Sequence, residues 1–280
     1  MAITTRDQLI DALANNASRV VIDKASIANA VAGQLFSLWR ATGQPAQAAI
    51  PGTTAAIPTS ATTGAIGFTN QTAPATSYLG WLALVAGNNS QSWEIHDRLA
   101  HIGGLVLNVT TSQTITGLDI GTGGLNPPAA RLGAANFSDV QWFLDVYSDG
   151  GATASNATVN VTYGDSTSGN LNVIAVGGTL RAGRSIPLTP FIPVADQGKF
   201  IRQINSVILS ASTTVAGNFG FTCRRQRTAL PTLIANLQAV GDWSALGLPE
   251  VPNDSCLEIM VTTTQTTTGA LRGQGKIAHG

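Results

Sequence analysis

Asn156–Tyr163 reads NATVNVTY. Ala157, Val159, Val161 and Tyr163 fall on one side of an extended chain, and Asn156, Thr158, Asn160 and Thr162 fall on the other. Period-two alternation of this kind marks a strand with one face in a core. The pattern continues on either side. Val140, Trp142, Leu144 and Val146 line one face of an earlier strand, with Asp145 among the opposite residues. Ile204–Ala211, Phe219–Cys223 and Leu257, Ile259 and Val261 supply later strands. The stretches between them, SDGGATASN, YGDSTSGN and VAGN, are turn chemistry. Many short alternating strands over a long stretch predict a mainly β chain folded as a jelly-roll-like antiparallel β-sandwich.

Upstream, Thr5 and Gln8 have the spacing of a capping box ahead of Leu9, Ile10 and Leu13, which predicts a first helix. A second helix is expected over Lys24–Thr42, capped by Asp23 and ended by Gly43 and Pro45. Ile27, Val31, Leu35 and Trp39 recur along it at helical spacing. Pro, Thr, Ala and Gly dominate residues 44–77 without any period, so that stretch reads as an extended arm. Short helices are expected at Ser92–His101 and after Pro231, and Thr- and Gly-rich residues 262–280 read as a further arm. The expected layout is a helical arm at 1–43, a linker arm at 44–77, a β-sandwich body at 78–261 and a C-terminal arm at 262–280.

Composition narrows the function. Of 280 residues only 11% are charged, against roughly 25% in an ordinary soluble domain. The net charge is zero, so nothing points to nucleic acid or an anionic membrane as partner. A surface of hydroxyls and amides costs less to desolvate than one of Lys and Glu, which suits permanent contact in an assembly. The opening MAITTRDQLIDALANN has no apolar core and does not read as a signal peptide. No run of 18 apolar residues occurs.

Candidate chemistry is thin. His96 and His101 are five residues apart, which fits neither one helical face nor a zinc site, so local hydrogen bonds are expected of them. G-x-S-x-G and H-E-x-x-H are absent, and the carboxylates are sparse. Gly121–Gly124 and Gly273–Lys276 lack phosphate-loop spacing and read as a turn and an arm. Sequons, at Asn70, Asn88, Asn108, Asn136, Asn156 and Asn160 among others, are what an Asn-, Ser- and Thr-rich chain produces by chance. Cys223 and Cys256 are expected to be buried on strands. Two basic clusters, Arg181 with Arg184 and Arg224, Arg225 with Arg227, stand out in so uncharged a chain and read as protein-contact sites. No catalytic residue, metal or cofactor is expected.

Several segments together resemble a group of tailed-phage virion proteins found beside the major capsid protein. They are Ile22–Ala48, with Ser37-Leu38-Trp39-Arg40 ahead of Gly43-x-Pro45; Tyr78–Leu105, with Asp97-Arg98-Leu99 and Gly103-Gly104-Leu105; Thr110–Ile115; and Gln141–Val146. The resemblance implies a jelly-roll decoration or cement protein on the outside of a head shell, trimeric, with the major capsid protein as partner. The contact residues expected are Ile27, Val31, Leu35 and Trp39 on the arm and Arg181, Arg184, Arg224 and Arg225 on the body. Alternatives are another virion part (coat, tail or fibre) or a secreted carbohydrate-binding module, which would need a row of exposed aromatics.

Overall fold

The structure is a computed structural model and describes residues 2–89, 91–178 and 181–280. Helix α1 spans Arg6–Asn15, and strands follow as β1 Ala17–Lys24, β2 Gln34–Ser37, β3 Gly43–Gln44, β4 Ser77–Ala86, β5 Gln91–Leu105 and β6 Gln113–Thr114. After α2 (Ala129–Leu132) come β7 Gln141–Ser148, β8 Ala154–Tyr163, β9 Ser168–Asn170, β10 Ile174–Gly177, β11 Ser185–Pro187, β12 Ile201–Leu209, β13 Asn218–Leu233 and β14 Gln238–Asp242. Helix α3 (Trp243–Leu246), β15 Leu257–Thr263 and β16 Leu271–His279 complete the chain. The protein is mainly β, its strand pairs are antiparallel, and its sheets pack as sandwiches.

The chain forms two compact units. The first comprises Met1–Ala49, Thr59–Asp97 and Gln226–Gly280; the second comprises Ile50–Pro58 and Arg98–Arg225. In the first unit a sheet of order β14-β4-β16-β1-β3 contributes Val20, Ile22, Leu79, Leu82, Leu84, Leu271 and Ile277 to one core. Trp93, Ile95, Leu257, Ile259 and Val261 enter the same core from β5 and β15. In the second unit the sheet β10-β8-β12-β6 meets residues of β5, β7 and β13, with Val159, Val161, Ile204 and Val207 facing Trp142, Leu144, Phe219 and Phe221. The expected alternation of β8 is present: Ala157, Val159, Val161 and Tyr163 are buried, and Asn156 is exposed.

α1 has the expected capping box, with both Thr5 and Gln8 engaged. The second helix is absent. Asn29 and Gly33 take positive φ (57° and 77°), which breaks a helix there. The β-branched run Val20-Val21-Ile22 pairs with β16, and Leu35 and Phe36 pair with β15. Cross-strand pairing thus overrides a helical period that the residues also satisfy. Ser92–His101 is likewise strand, not helix. β5 is buried on both faces, so its polar residues are paired inside rather than spread on a helical surface. The stretch after Pro231 ends β13, turns at Ile234–Leu237 and enters β14.

Residues 262–280 do not form an arm, since β16 lies between β4 and β1. Its glycines serve close sheet packing: a methyl on Gly273 would lie 2.0 Å from Ala83 O. Residues 45–76, read as an extended arm, hold no helix or strand and are packed. Ala48, Ala65 and Ile66 are buried, Ile66 N–H bonds Leu257 O at 2.8 Å, and Ala56 bridges His101.

Candidate functional site

The residues expected to make contacts fall in different surroundings. Ile27, Val31 and Leu35 are half-buried and share no helical face. Ile27 packs on the core of the first unit and accepts at its carbonyl from the Thr268 N–H at 3.1 Å. Trp39 is 2% exposed and packs with Ala48, Ala65 and Cys256, so it is a core residue rather than a contact residue.

On the second unit Arg181 reaches Asp149 at 3.2 Å and stays about one-third exposed. Arg184 is half-buried, and burial lowers its guanidinium pKa. Arg225 bonds Asp139 at 3.1 Å and the carbonyls of Ala130 and Arg131. Arg224 is 0% exposed, which removes it as a surface contact. Two adjacent arginines on a strand point to opposite faces. The face taken by Arg224 is sealed.

That face carries the most concentrated polar chemistry of the second unit. Asp145 of β7 accepts from Arg224 Nη1 at 3.0 Å and Nη2 at 2.5 Å, from Thr222 Oγ1 at 2.7 Å and from Ser185 Oγ at 2.5 Å. Arg98 Nη1 lies 3.4 Å from the same carboxylate. Arg98 also donates to Tyr147 Oη (2.8 Å), Thr222 Oγ1 (2.9 Å) and His101 Nδ1 (2.9 Å). Arg131, 1% exposed, donates to Arg98 O at 2.9 Å and Pro58 O at 3.1 Å. The Arg224 guanidinium lies 4.8 Å from the Phe143 ring centroid.

Burial, chiefly, pushes the Tyr147 hydroxyl up to about 12. The register explains the assembly: Ser185 lies opposite Asp145, and Asp145 lies opposite Gly220, so β11, β13 and β5 hand side chains to the one carboxylate that β7 carries. With its oxygens bonded and water excluded, the cluster has no open position for a substrate. It acts as a cross-strand clasp.

The first unit repeats the device on a smaller scale. Arg227 meets Asp97 at 2.9 Å, and the Cys256 N–H donates to the other oxygen of Asp97 at 2.9 Å. Lys24, 2% exposed, donates to Pro45 O at 2.6 Å and Ala41 O at 3.1 Å. Burial brings its ammonium down to about 8, opposed by the Glu258 carboxylate. Ser37 Oγ donates to Glu258 at 2.8 Å. His96 and His101, expected on a helix, lie on β5, where His96 pairs with Glu94 and His101 takes the Arg98 bond. Among the described residues no three His, Cys, Asp or Glu side chains converge as a metal site. A cavity of about 230 Å³ in the second unit is walled by Val140, Trp142, Pro190, Ile192 and Phe200, and Lys199 at its rim is tied to Asp196 and Asp165.

Sequence reading missed Arg98 and Arg131 as clasp members because nothing local distinguishes an arginine that will be buried. One signal was available: Asp145 sits in the middle of an otherwise apolar strand, where an unpaired carboxylate is costly.

No family model matches the chain, and no curated protein matches it. Among solved structures, the infectious bursal disease virus VP2 subviral particle aligns over 99% of this chain and 82% of its own, at 10% identity and a TM-score of 0.18. A structure of the infectious bursal disease virus Gt strain aligns over 97% and 86%, at 9% identity and a TM-score of 0.18. Superpositions this loose do not establish a common fold.

Proposed function

We propose that the chain is a structural protein of a virion, a decoration or cement protein that binds the outside of a phage head shell and ties neighbouring capsomers together. One observation carries this reading: the molecule withdraws charge from its surface and leaves aliphatic groups on it. Of 15 basic and 15 acidic residues, Lys24, Asp97, Arg98, Arg131, Asp145, Arg224 and Glu258 are buried. Meanwhile Val194 is 81% exposed, Ile234 61%, Val173 59% and Leu237 57%. A protein living free in solution gains from the reverse arrangement, whereas one covered by neighbours gains from this one. The sealed clasps support the same reading, because they cross-link strands and offer no reacting group. The resemblance, whose segments span most of residues 20–165, supplies the shell as partner and a trimer as the form that binds it. Among the described residues the exposed aromatics are Phe200, in the second unit, and Trp243, in the first, and neither unit shows the aromatic row of a carbohydrate-binding module.

The test is direct. Expressed alone, the protein is expected to give soluble oligomers. Mixed with empty shells built from the major capsid protein of the same genome, it is expected to add density on their outer surface in electron micrographs. Empty shells formed by this chain alone would instead make it a coat protein. A monomer that leaves shells undecorated would overturn the proposal.

A further inference from the structure

His279, near the end of β16, is 4% exposed and joins three elements of the first unit. Its N–H donates to Asn16 O at 2.9 Å, and Asn16 Nδ2 donates back to His279 O at 2.8 Å. The ring is bonded on both sides. The Ser18 backbone N–H donates to Nε2 at 3.1 Å, and Ser18 Oγ lies 2.7 Å from the same nitrogen. Ser77 Oγ, at the start of β4, lies 2.9 Å from Nδ1.

A backbone amide can only donate, so Nε2 carries no proton and Nδ1 carries the only one, donated to Ser77. The ring is neutral and fixed in one tautomer. It sits where the chain leaves α1, whose C-cap is Asn16, and enters β1.

α1 has few other attachments. Leu9, Ala12 and Ala278, with Ile3, Leu13 and Leu248 beside them, form a small cluster apart from the main core of the unit. Lys276 Nζ adds one bond to Leu13 O at 2.6 Å. A ten-residue helix does not persist in water by itself, so these contacts and the His279 junction decide whether it stays docked.

We infer that His279 is an acid-sensitive latch, and that its protonation releases α1 from the end of the β1–β16–β4 sheet. A proton on Nε2 would face the Ser18 N–H, donor against donor, so that bond must open; Ser18 Oγ, which already accepts from the Thr69 N–H at 3.1 Å, is left as the one acceptor beside the new proton, and the Ser18 backbone must shift to let it turn.

The charged groups on the packed elements do not compensate. On α1, Arg6 and Asp7 are exposed beside each other, and Asp11 bonds Asn15 at 2.7 Å and lines the small cavity next to the ring. On β1, Arg19 bonds Gln274, Asp23 pairs with Arg272, and Lys24 is held by carbonyls. On β16, Lys276 is bonded to Leu13 O. β4 carries no charge, and Glu250 bridges at Tyr78.

Burial holds the ring pKa below its ordinary 6.5. The unfolded or detached chain therefore takes up the proton first. The junction keeps its full strength above that value and loses it as pH falls toward the docked pKa.

The test compares hydrogen-exchange protection factors of the Leu9–Asn16 amides with the NMR titration of the His279 ring, between about pH 7.5 and about pH 5. Protection of α1 is expected to fall about tenfold or more, with its midpoint on the ring titration, while β4 amides hold. His279→Gln can accept from Ser18 and donate to Ser77 without titrating, and is expected to keep α1 protected throughout. Asp11→Asn is expected to behave as wild type. Constant α1 protection across the His279 titration overturns the latch, as does an Asp11→Asn variant that abolishes the response. Should His279→Gln fail to fold, the comparison of the two midpoints in the wild-type protein still decides.

Discussion

Asp145 shows what a single side chain can decide in this protein. Two guanidiniums and two hydroxyls are oriented by its carboxylate inside a sealed sheet face. Removing one partner of a buried ion cluster leaves the others desolvated and uncompensated. Asp145→Asn is expected to destabilise the second unit by about 3–5 kcal/mol in chemical denaturation. A loss under about 1 kcal/mol would mean that the arginines find other partners.

Two further residues give the protein an alkaline signature, with opposite signs. Lys24 has a folded pKa of about 8 against 10.5 when exposed, so between these values the unfolded chain holds a proton that the folded one has released. Stability of the first unit therefore rises with pH across that window. Tyr147 titrates near 12 when folded and 10.0 when exposed, so the second unit loses stability as pH climbs from 10.0 to about 12. Unfolding followed by pH should show the rise vanish in Lys24→Met and the fall vanish in Tyr147→Phe.

Elements here are fixed by their neighbours more than by their own residues. β16 contains Gly273 and Gly275 and still forms a central strand, because each glycine admits the backbone of β4 where a side chain would collide. Gly273→Val is expected to abolish soluble expression, although valine is the better strand former by propensity. The β2 region shows the same dependence. Trp39, which helical spacing places on a contact face, instead fills a small core with Ala48, Ala65 and Cys256. Trp39→Ala should therefore cost about 3–5 kcal/mol of stability, read as a lowered midpoint of thermal unfolding. A variant of unchanged stability that lost only shell binding would restore the contact reading.

For the molecule as a whole, the proposed shell binding rests on surface composition. Ile234, Leu237 and Val240, more than half exposed, lie within the turn and strand that follow β13. Ile234→Asp with Leu237→Asp should change stability by no more than about 0.5 kcal/mol, since exposed positions tolerate substitution. The same double variant should lower shell binding measured by co-sedimentation; binding equal to wild type would place the contact elsewhere.

The strand character of β7, β8, β12 and β15 and the α1 cap were legible in the chain, because period-two alternation and capping are local and need only neighbours in sequence. The sparse charge was legible for the same reason. Several features were not. β1, β5 and β16 became strands through partners far along the chain. Trp39 and Arg224 went inside because facing strands closed over them, and His279 became a junction only once β1 and β4 lay on either side of it. Alternation tells which side of a strand is apolar, but whether the opposite side meets water or another layer depends on what packs there. In this protein that distinction belongs to the tertiary structure, which turned polar faces expected in solvent into buried clasps.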